Sequence, residues 1–360
     1  MQAIPSFPIE IPVAPAELFE IAARTDARVR ALLDAEIERW CAVDSQLFAP
    51  LDSLRALVSA GGKRLRPAFC YWAHVGAGGD PTDPTVVDAG AGLELLHTFA
   101  LVHDDIMDGS LNRRGMRAVH KQFADAHLDN GWRAESRRFG EGVAILVGDL
   151  AFVYADLLLT GVNPTATAIY NELRVEVNIG QYLDLIGTAK GGPTIESARR
   201  ICRYKSGKYT IERPLHLGAA LAGKLPEFET SLSSYGLPLG EAFQLRDDLL
   251  GAMGDELLTG KPVGDDLREG KPTALVARAL AVADDEQRSM LERIGHIDLR
   301  PDEIDHIQQI FIDTGAVHAV ETDIERLCSE AIAAISNGGL LPSATSALID
   351  LAHYVTKRDH

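Results

Sequence analysis

The sequence predicts an all-α fold, and three observations carry that reading. Hydrophobic residues make up 46% of the 360 but aromatic residues only 6%, and abundant Ala and Leu favour helices packed on helices over a sheet. From about Ala16 one helix-period segment follows another, separated by short punctuation such as Gly76-Ala-Gly-Gly-Asp-Pro-Thr-Asp-Pro84. No alternating strand pattern competes with them. Taken in order, residues 1–15 carry Pro5, Pro8, Pro12 and Pro15 without a helical period and read as an extended arm. Residues 16–360 read as a single all-helical domain. The polar stretch from His127 to Gly140, with Arg133, Arg137 and Arg138, reads as a loop between the first acidic helix and the next apolar one.

Composition narrows the function classes. The formal net charge is −17, from 52 acidic and 35 basic residues, which excludes a general nucleic-acid binder and requires any anion site to be a local concentration of basic groups. Cys41, Cys70, Cys202 and Cys328 are widely spaced, form no metal-ligand pattern and read as buried reduced thiols. The most apolar stretch, residues 142–159, is interrupted by Asp149 and Asp156, which argues against a membrane span. The N-terminal sequence does not resemble a signal peptide, so the expected location is the cytoplasm.

Two acidic clusters carry the chemistry. Asp104, Asp105 and Asp108 lie in Leu101-Val-His-Asp-Asp-Ile-Met-Asp-Gly109, and Asp247 and Asp248 lie in Phe243-Gln-Leu-Arg-Asp-Asp-Leu-Leu250. On a helix, positions 104, 105 and 108 fall within about 100° of one another. Carboxylates so crowded need cations, and Mg²⁺ prefers carboxylate oxygens, with substrate phosphates completing its shell. A diphosphate held between two acidic helices is therefore the expected ligand. The clusters are 247 − 104 = 143 residues apart, a spacing that suggests two halves facing each other.

Basic groups alternate with these clusters. Gly61-Gly-Lys-Arg-Leu-Arg-Pro67 packs Lys63, Arg64 and Arg66 into a glycine-led turn that suits an anion, although a solvated basic turn fits it in isolation. Arg113 and Arg114 follow the first acidic helix. His97 precedes Asp104 by seven residues, about two helical turns, where it either donates to a phosphate or is a satisfied core residue. Gln181 and Asp184, one turn apart, are placed to orient metal-bound water or a lysine, or to fill a packing defect. Lys205-Ser-Gly-Lys-Tyr-Thr210 and the segment from Gly260 through Lys261, Asp265 and Asp266 to Lys271 supply further cations and hydroxyls. Neither has the GxxxxGK[ST] order of a P-loop, so ATP is not implied.

From Gly61 to Lys271 these motifs, in this order, resemble the trans-polyprenyl diphosphate synthase family. The basic turn, DDxxD, RRG, GQxxD, KSG, FQxxDD and GKxxGxDLxxGK together make the resemblance specific. It implies ionisation of an allylic diphosphate, addition of the cation to isopentenyl diphosphate, and loss of a proton. Asp104, Asp105, Asp108, Asp247 and Asp248 then resemble the metal motifs, with Asp105 and Asp248 in supporting positions and three Mg²⁺ ions expected with diphosphate bound. Arg113, Lys205, Gln244 and Lys261 resemble the allylic-diphosphate contacts, and Lys63, Arg66, His97 and Arg114 the isopentenyl-diphosphate site. Gln181, Asp184, Lys205 and Ser206 match positions at the reacting centre. The resemblance also implies an isoprenoid-synthase-type helical bundle around a central cavity, with a homodimer as the usual assembly.

One position departs from the pattern. The second motif reads Asp247-Asp-Leu-Leu-Gly251, so its third carboxylate is missing, and Gly251 is expected to weaken the helix locally. In the family this chain resembles, bulky residues four or five places before the first motif often form the floor that sets product length. Ala100 leaves room beneath Asp104, whereas Phe99 narrows the tunnel from one side or is ordinary core. By resemblance this combination points to geranylgeranyl diphosphate, with farnesyl diphosphate as the alternative. A class I terpene cyclase shares DDxxD but needs no second diphosphate cradle. A regulatory subunit would tolerate loss of the aspartates, so incubating the chain alone with both diphosphates separates these classes.

Overall fold

A computed structural model describes residues 14–254, 264–296 and 298–357. The Pro-rich arm up to residue 13, and Lys261, lie outside the described residues. The chain divides into two compact units, one formed by residues 16–170 and 214–226, the other by residues 171–213 and 227–357.

In the first unit, helices α1 (Ala16–Cys41), α2 (Phe48–Ser59) and α3 (Leu65–Gly76) pack around α4 (Pro84–Asp108). The start of α4 is fixed locally: Pro84 occupies its first turn and the Asp83 carboxylate accepts the Thr85 N–H at 2.8 Å. Its end is fixed by Gly109, whose left-handed φ of 68° closes the helix directly after Asp108. Asp108 therefore stands in the last turn, where the chain must leave the helix. Among the described residues α4 is also the one helix long and apolar enough to cross a membrane, but 61% of its apolar window is buried, against α1, α3 and α6 (Ser136–Leu158). Its Leu93, Leu95 and Leu96 are completely buried, which accounts for the apolar composition as core packing.

The segment after α4 departs from pure helix. Strands β1 (Asn112–Arg113) and β2 (Met116–Arg117) pair antiparallel with Arg113 opposite Met116. Arg114 and Gly115 between them have φ of 52° and 72°, the two left-handed residues that a tight two-residue hairpin needs. The stretch expected to be a loop from His127 to Gly140 is shorter than the sequence suggested. Helix α5 (Val119–Asp129) extends past His127, which is buried and donates from Nε2 to the Arg133 carbonyl at 2.8 Å, and α6 (Ser136–Leu158) begins before Gly140. A ring cluster of His127, Trp132 and Phe139 bridges the remaining turn, so polarity along this stretch marked amphipathic helix ends. Residues 164–170, the start of α7 (Pro164–Lys190), and α9 (Arg213–Leu221) complete the unit. At Gly218 a Cβ would lie 2.0 Å from the Cys70 carbonyl oxygen, so α9 crosses α3 at backbone contact.

The second unit takes the remainder of α7, then α8 (Ile195–Ile201), an eleven-residue π-helix (Cys202–Glu212), α10 (Leu225–Met253), α11 (Asp265–Glu269), α12 (Ala274–Val282), α13 (Asp285–Leu291), α14 (Pro301–Asp313), α15 (Ala316–Ser336) and α16 (Pro342–Thr356). Leu245 and Leu249 of α10 share a core with Leu275, Ile307, Phe311, Val320 and Ile324. The Tyr235 hydroxyl donates to the Leu348 carbonyl at 2.6 Å and Arg246 Nε to the Thr356 carbonyl at 2.9 Å, which ties α16 along α10. Cys70, Cys202 and Cys328 are buried and Cys41 is half-buried, all as free thiols.

Candidate active site

In the first unit the acidic helix and the hairpin form one charged assembly. Asp105 is completely buried, and its Oδ1 accepts from Arg113 Nε at 2.8 Å and Nη2 at 2.5 Å. Arg113 Nη2 also lies 3.7 Å from Asp104 Oδ2. A carboxylate buried this deeply requires a paired cation, and the left-handed Arg114-Gly115 turn is what returns Arg113 to it. Asp104 and Asp108, one turn apart, remain on the partly exposed side of α4. The three aspartates thus divide: Asp105 orients Arg113, while Asp104 and Asp108 face outward as oxygen donors.

The basic turn at residues 61–67 also divides, and here the expectation of an anion-binding trio is corrected. Arg64 caps α3 in a left-handed conformation with φ of 49° and is only 3% exposed. Its guanidinium donates to Asp26 Oδ1 at 2.7 Å, Glu94 Oε2 at 3.0 Å, the Val58 carbonyl at 2.6 Å and the Gly61 carbonyl at 3.1 Å. Those bonds use it to build the turn. Lys63 and Arg66 are partly exposed on either side of it. Arg114 Nη1 donates to the Leu57 carbonyl at 3.2 Å, and burial lowers its proton affinity. His97 is held well below the usual histidine range, first by burial and then by the charges of Arg66, Arg114, Arg113 and Arg64. It is neutral at physiological pH, so it meets an anion through a neutral N–H, and the positive field around it comes from the arginines.

In the second unit, Lys205 Nζ donates to Asp184 Oδ2 at 2.6 Å, so Asp184 orients a lysine, one of the alternatives its spacing left open. Ser206 is partly exposed beside it, and Gln181 lies one turn before Asp184 on α7. On α10, Gln244 Nε2 donates to Asp248 Oδ1 at 2.7 Å. Asp248 is buried, and its carboxyl is pushed up to about 8 by that burial, with Asp266 and Asp247 adding to the rise against the Gln244 hydrogen bond. Asp247 is the more exposed of the pair and therefore the better placed oxygen donor.

Gly251 has a steric reason to be glycine. A Cβ at this position would lie 1.8 Å from Asp266 Oδ2 and 2.5 Å from its Cγ. Asp266 is itself fixed by Lys271 Nζ at 2.8 Å, and Lys271 also reaches Glu269 Oε2 at 2.6 Å. A carboxylate thus stands beside this helical turn, contributed by residue 266 from the following segment.

Phe99 packs its ring against Phe152 of α6, with centroids 4.9 Å apart, and against His103, at 4.7 Å. His103 Nε2 lies 3.2 Å from the Ile145 carbonyl. Ala100, the next residue on α4, is partly exposed. Phe152 and His103 were not singled out in the sequence. No local motif marks them, and only the pairing of α4 with α6 brings the three rings together.

The donor set fits Mg²⁺. Among the described residues no three His, Cys, Asp or Glu side chains converge into a closed cage, and a hard cation held by one or two carboxylates completes its shell with water and phosphate oxygens. Asp104 with Asp108, and Asp247, are the groups that would hold such ions, and their partly exposed faces leave room for the water and phosphate oxygens that complete a Mg²⁺ shell.

Comparison with known proteins converges on one family. The polyprenyl synthetase family model matches residues 50–312. The chain is 33% identical over 324 residues to the short chain isoprenyl diphosphate synthase of Methanothermobacter thermautotrophicus, covering 87% of this chain and 92% of that protein. It is 32% identical over 309 residues to the octaprenyl diphosphate synthase of Escherichia coli, covering 84% and 88% respectively. Among solved structures, geranylgeranyl pyrophosphate synthase from Corynebacterium glutamicum, complexed with isoprenyl diphosphate and magnesium, superposes with a TM-score of 0.85 at 35% identity, over 93% of this chain and 99% of that one.

The contact at Gly251 makes a direct prediction. Gly251→Asp, which would complete the second motif in sequence, should instead destabilise the fold by about 1–3 kcal/mol through overpacking, read as a lower urea midpoint. A midpoint equal to that of the parent protein would show that Asp266 does not occupy the space.

Proposed function

The chain belongs to the polyprenyl synthetase family and is a trans-prenyltransferase, and from that premise we propose that it condenses isopentenyl diphosphate with allylic diphosphates to give geranylgeranyl diphosphate. The observation that supports two diphosphate substrates is the separation of charges within the first unit. Arg113 is bound to the acidic helix through Asp105, whereas Arg66 and Arg114 are the arginines whose charges act most strongly on neutral His97, with Arg113 a weaker contributor. A cyclase acting on one diphosphate has no use for the second group.

The roles follow from the chemistry of each side chain. Lys63, Arg66, His97 and Arg114 bind isopentenyl diphosphate, which the fixed forks of the arginines grip by its oxygens. Arg113 binds the allylic diphosphate, and Asp104, Asp108 and Asp247 are the Mg²⁺ ligands. Mg²⁺, when bound, neutralises charge on the departing diphosphate. As the allylic C–O bond breaks, its electron pair leaves with diphosphate. Lys205, aimed by Asp184, offers a fixed positive charge to the negative charge that develops, and Gln181, Ser206 and Gln244 order the polar surroundings. The double bond of isopentenyl diphosphate then attacks the carbocation, and a proton is lost to released diphosphate. Lys261 is assigned to diphosphate as well.

Phe99 supports the twenty-carbon product. Its ring sits five residues before Asp104 and is braced by Phe152 and His103, so it resists displacement by a growing chain. The relatives named above include both short-chain and octaprenyl synthases, which makes product length the property to measure. Purified protein with Mg²⁺, isopentenyl diphosphate and farnesyl diphosphate should yield a C20 product, and Asp104→Ala should lower turnover at least about 100-fold. A longer parent product would remove Phe99 as the floor, and undiminished turnover in Asp104→Ala would remove the metal assignment.

The protein is further proposed to be a homodimer. Leu146, Val153 and Leu157 on α6 are 62%, 52% and 54% exposed and recur on one helical face, a stripe that association would cover. Light scattering should give twice the chain mass, and Leu146→Glu with Val153→Glu should halve it. A monomeric parent protein would contradict the proposal.

A further inference from the structure

The Lys205–Ser206 pair lies within an uncommon element, the π-helix Cys202–Glu212, and a buried carboxylate on α7 touches both ends of one of its turns. Glu176 is 5% exposed. Lys208 Nζ donates to Glu176 Oε1, and Arg213 donates from Nε to Oε2 at 2.6 Å and from Nη2 to Oε1 at 2.8 Å. Lys208 and Arg213 are five residues apart, and the Arg213 N–H donates to the Lys208 carbonyl, the i→i+5 bond that defines a π turn. In an α-helix two residues five apart point about 140° away from each other, so one carboxylate could not take both side chains. In the π register it does. Burial would raise the Glu176 carboxyl, but the Arg213 and Lys208 hydrogen bonds outweigh it and hold the group below the usual range, so it is ionised wherever the enzyme works.

The surrounding helices are shaped for the wider coil. A Cβ on Gly180 of α7 would lie 2.3 Å from the Lys205 backbone nitrogen, and one on Gly240 of α10 would lie 2.5 Å from the Gly207 Cα. One on Gly236 would lie 2.9 Å from the Glu212 Cα. Ser233 Oγ, also on α10, donates to Glu212 Oε1 at 2.8 Å. Backbone contacts thus hold the π-helix on both sides, and the tightest of them falls at Lys205 itself.

We infer that Glu176 is a positioning residue for catalysis, selecting the π register of residues 202–212 by taking Lys208 and Arg213 together and thereby aiming Lys205 and Ser206. The inference rests on the reading that Lys205 serves the departing diphosphate. Relaxing the segment to the α register would turn Lys205 about its helix and away from Asp184, which lies on the fixed helix α7. Misplacing a catalytic group by an ångström lowers rates about 100-fold, so the register is a functional requirement of the site.

The test compares Glu176→Gln, Lys208→Met and Lys208→Arg with Lys205→Ala in the full-length enzyme, by steady-state kinetics for both diphosphates and by crystal structures of the Glu176 and Lys208 variants. Glu176→Gln is expected to lower kcat about 10- to 100-fold, to leave KM for isopentenyl diphosphate nearly constant, and to show residues 202–212 rewound. Should Glu176→Gln fail to fold, Lys208→Met, which keeps the Arg213–Glu176 pair, is expected to show the same split between kcat and KM, and Lys208→Arg to restore most of the rate. A folded Glu176→Gln or Lys208→Met with parental kcat, or one with the π-helix intact, overturns the inference while a crippled Lys205→Ala leaves the functional reading standing. Full activity in Lys205→Ala would instead overturn the role of Lys205 and, with it, the purpose assigned to Glu176.

Discussion

Within each unit, several inward-turned cations are held by carboxylates, and the direction of those side chains depends on the pairings. Asp105 holds Arg113, Asp26 and Glu94 hold Arg64, Asp184 holds Lys205, Glu176 holds Lys208 and Arg213, and Asp266 holds Lys271. A buried charge without a partner is strongly destabilising, so such pairs are fixed in one arrangement once the surrounding helices pack. Their function is direction more than stability. An enzyme that binds diphosphates must offer positive charge at defined points in a chain whose overall charge is strongly negative, and pre-aimed cations need no reorganisation as negative charge develops.

The pairings also explain why residues adjacent in sequence have different tasks. In Asp104-Asp105 and Asp247-Asp248, successive positions on a helix point about 100° apart, so one carboxylate faces outward while its neighbour turns into the protein. The inward one is neutralised by Arg113 in the first case. In the second its proton affinity rises, and Gln244 satisfies it by a hydrogen bond. The same division separates Arg64, consumed in building its turn, from Lys63 and Arg66 beside it.

Much of this was legible in the sequence because the relevant signals are local. Helical periodicity and short Gly/Pro/Asp breaks foretold the all-α architecture, and the motif order foretold the family. What the sequence hid depends on contacts between distant segments. Gly251 looked like a lost ligand, and only the return of residues 264–271 reveals that Asp266 fills the position. The hairpin of residues 112–117 is too short to leave an alternating pattern. Phe152 and His103 acquire meaning only when α4 lies against α6. The π-helix could not be read because Lys208 and Arg213 converge on a residue 32 positions earlier than Lys208, and helical periodicity assumes the α repeat.

The account's central claim is that inward carboxylates act through the cations they hold. Its most direct measurement is a double-mutant cycle on kcat/KM with Asp105→Asn, Arg113→Ala and the combination of the two. If Asp105 acts through Arg113, the double variant should be little worse than Arg113→Ala alone, with a coupling of about 2 kcal/mol or more. Losses that add to within about 0.5 kcal/mol would mean that Asp105 contributes independently of Arg113 and would contradict the account.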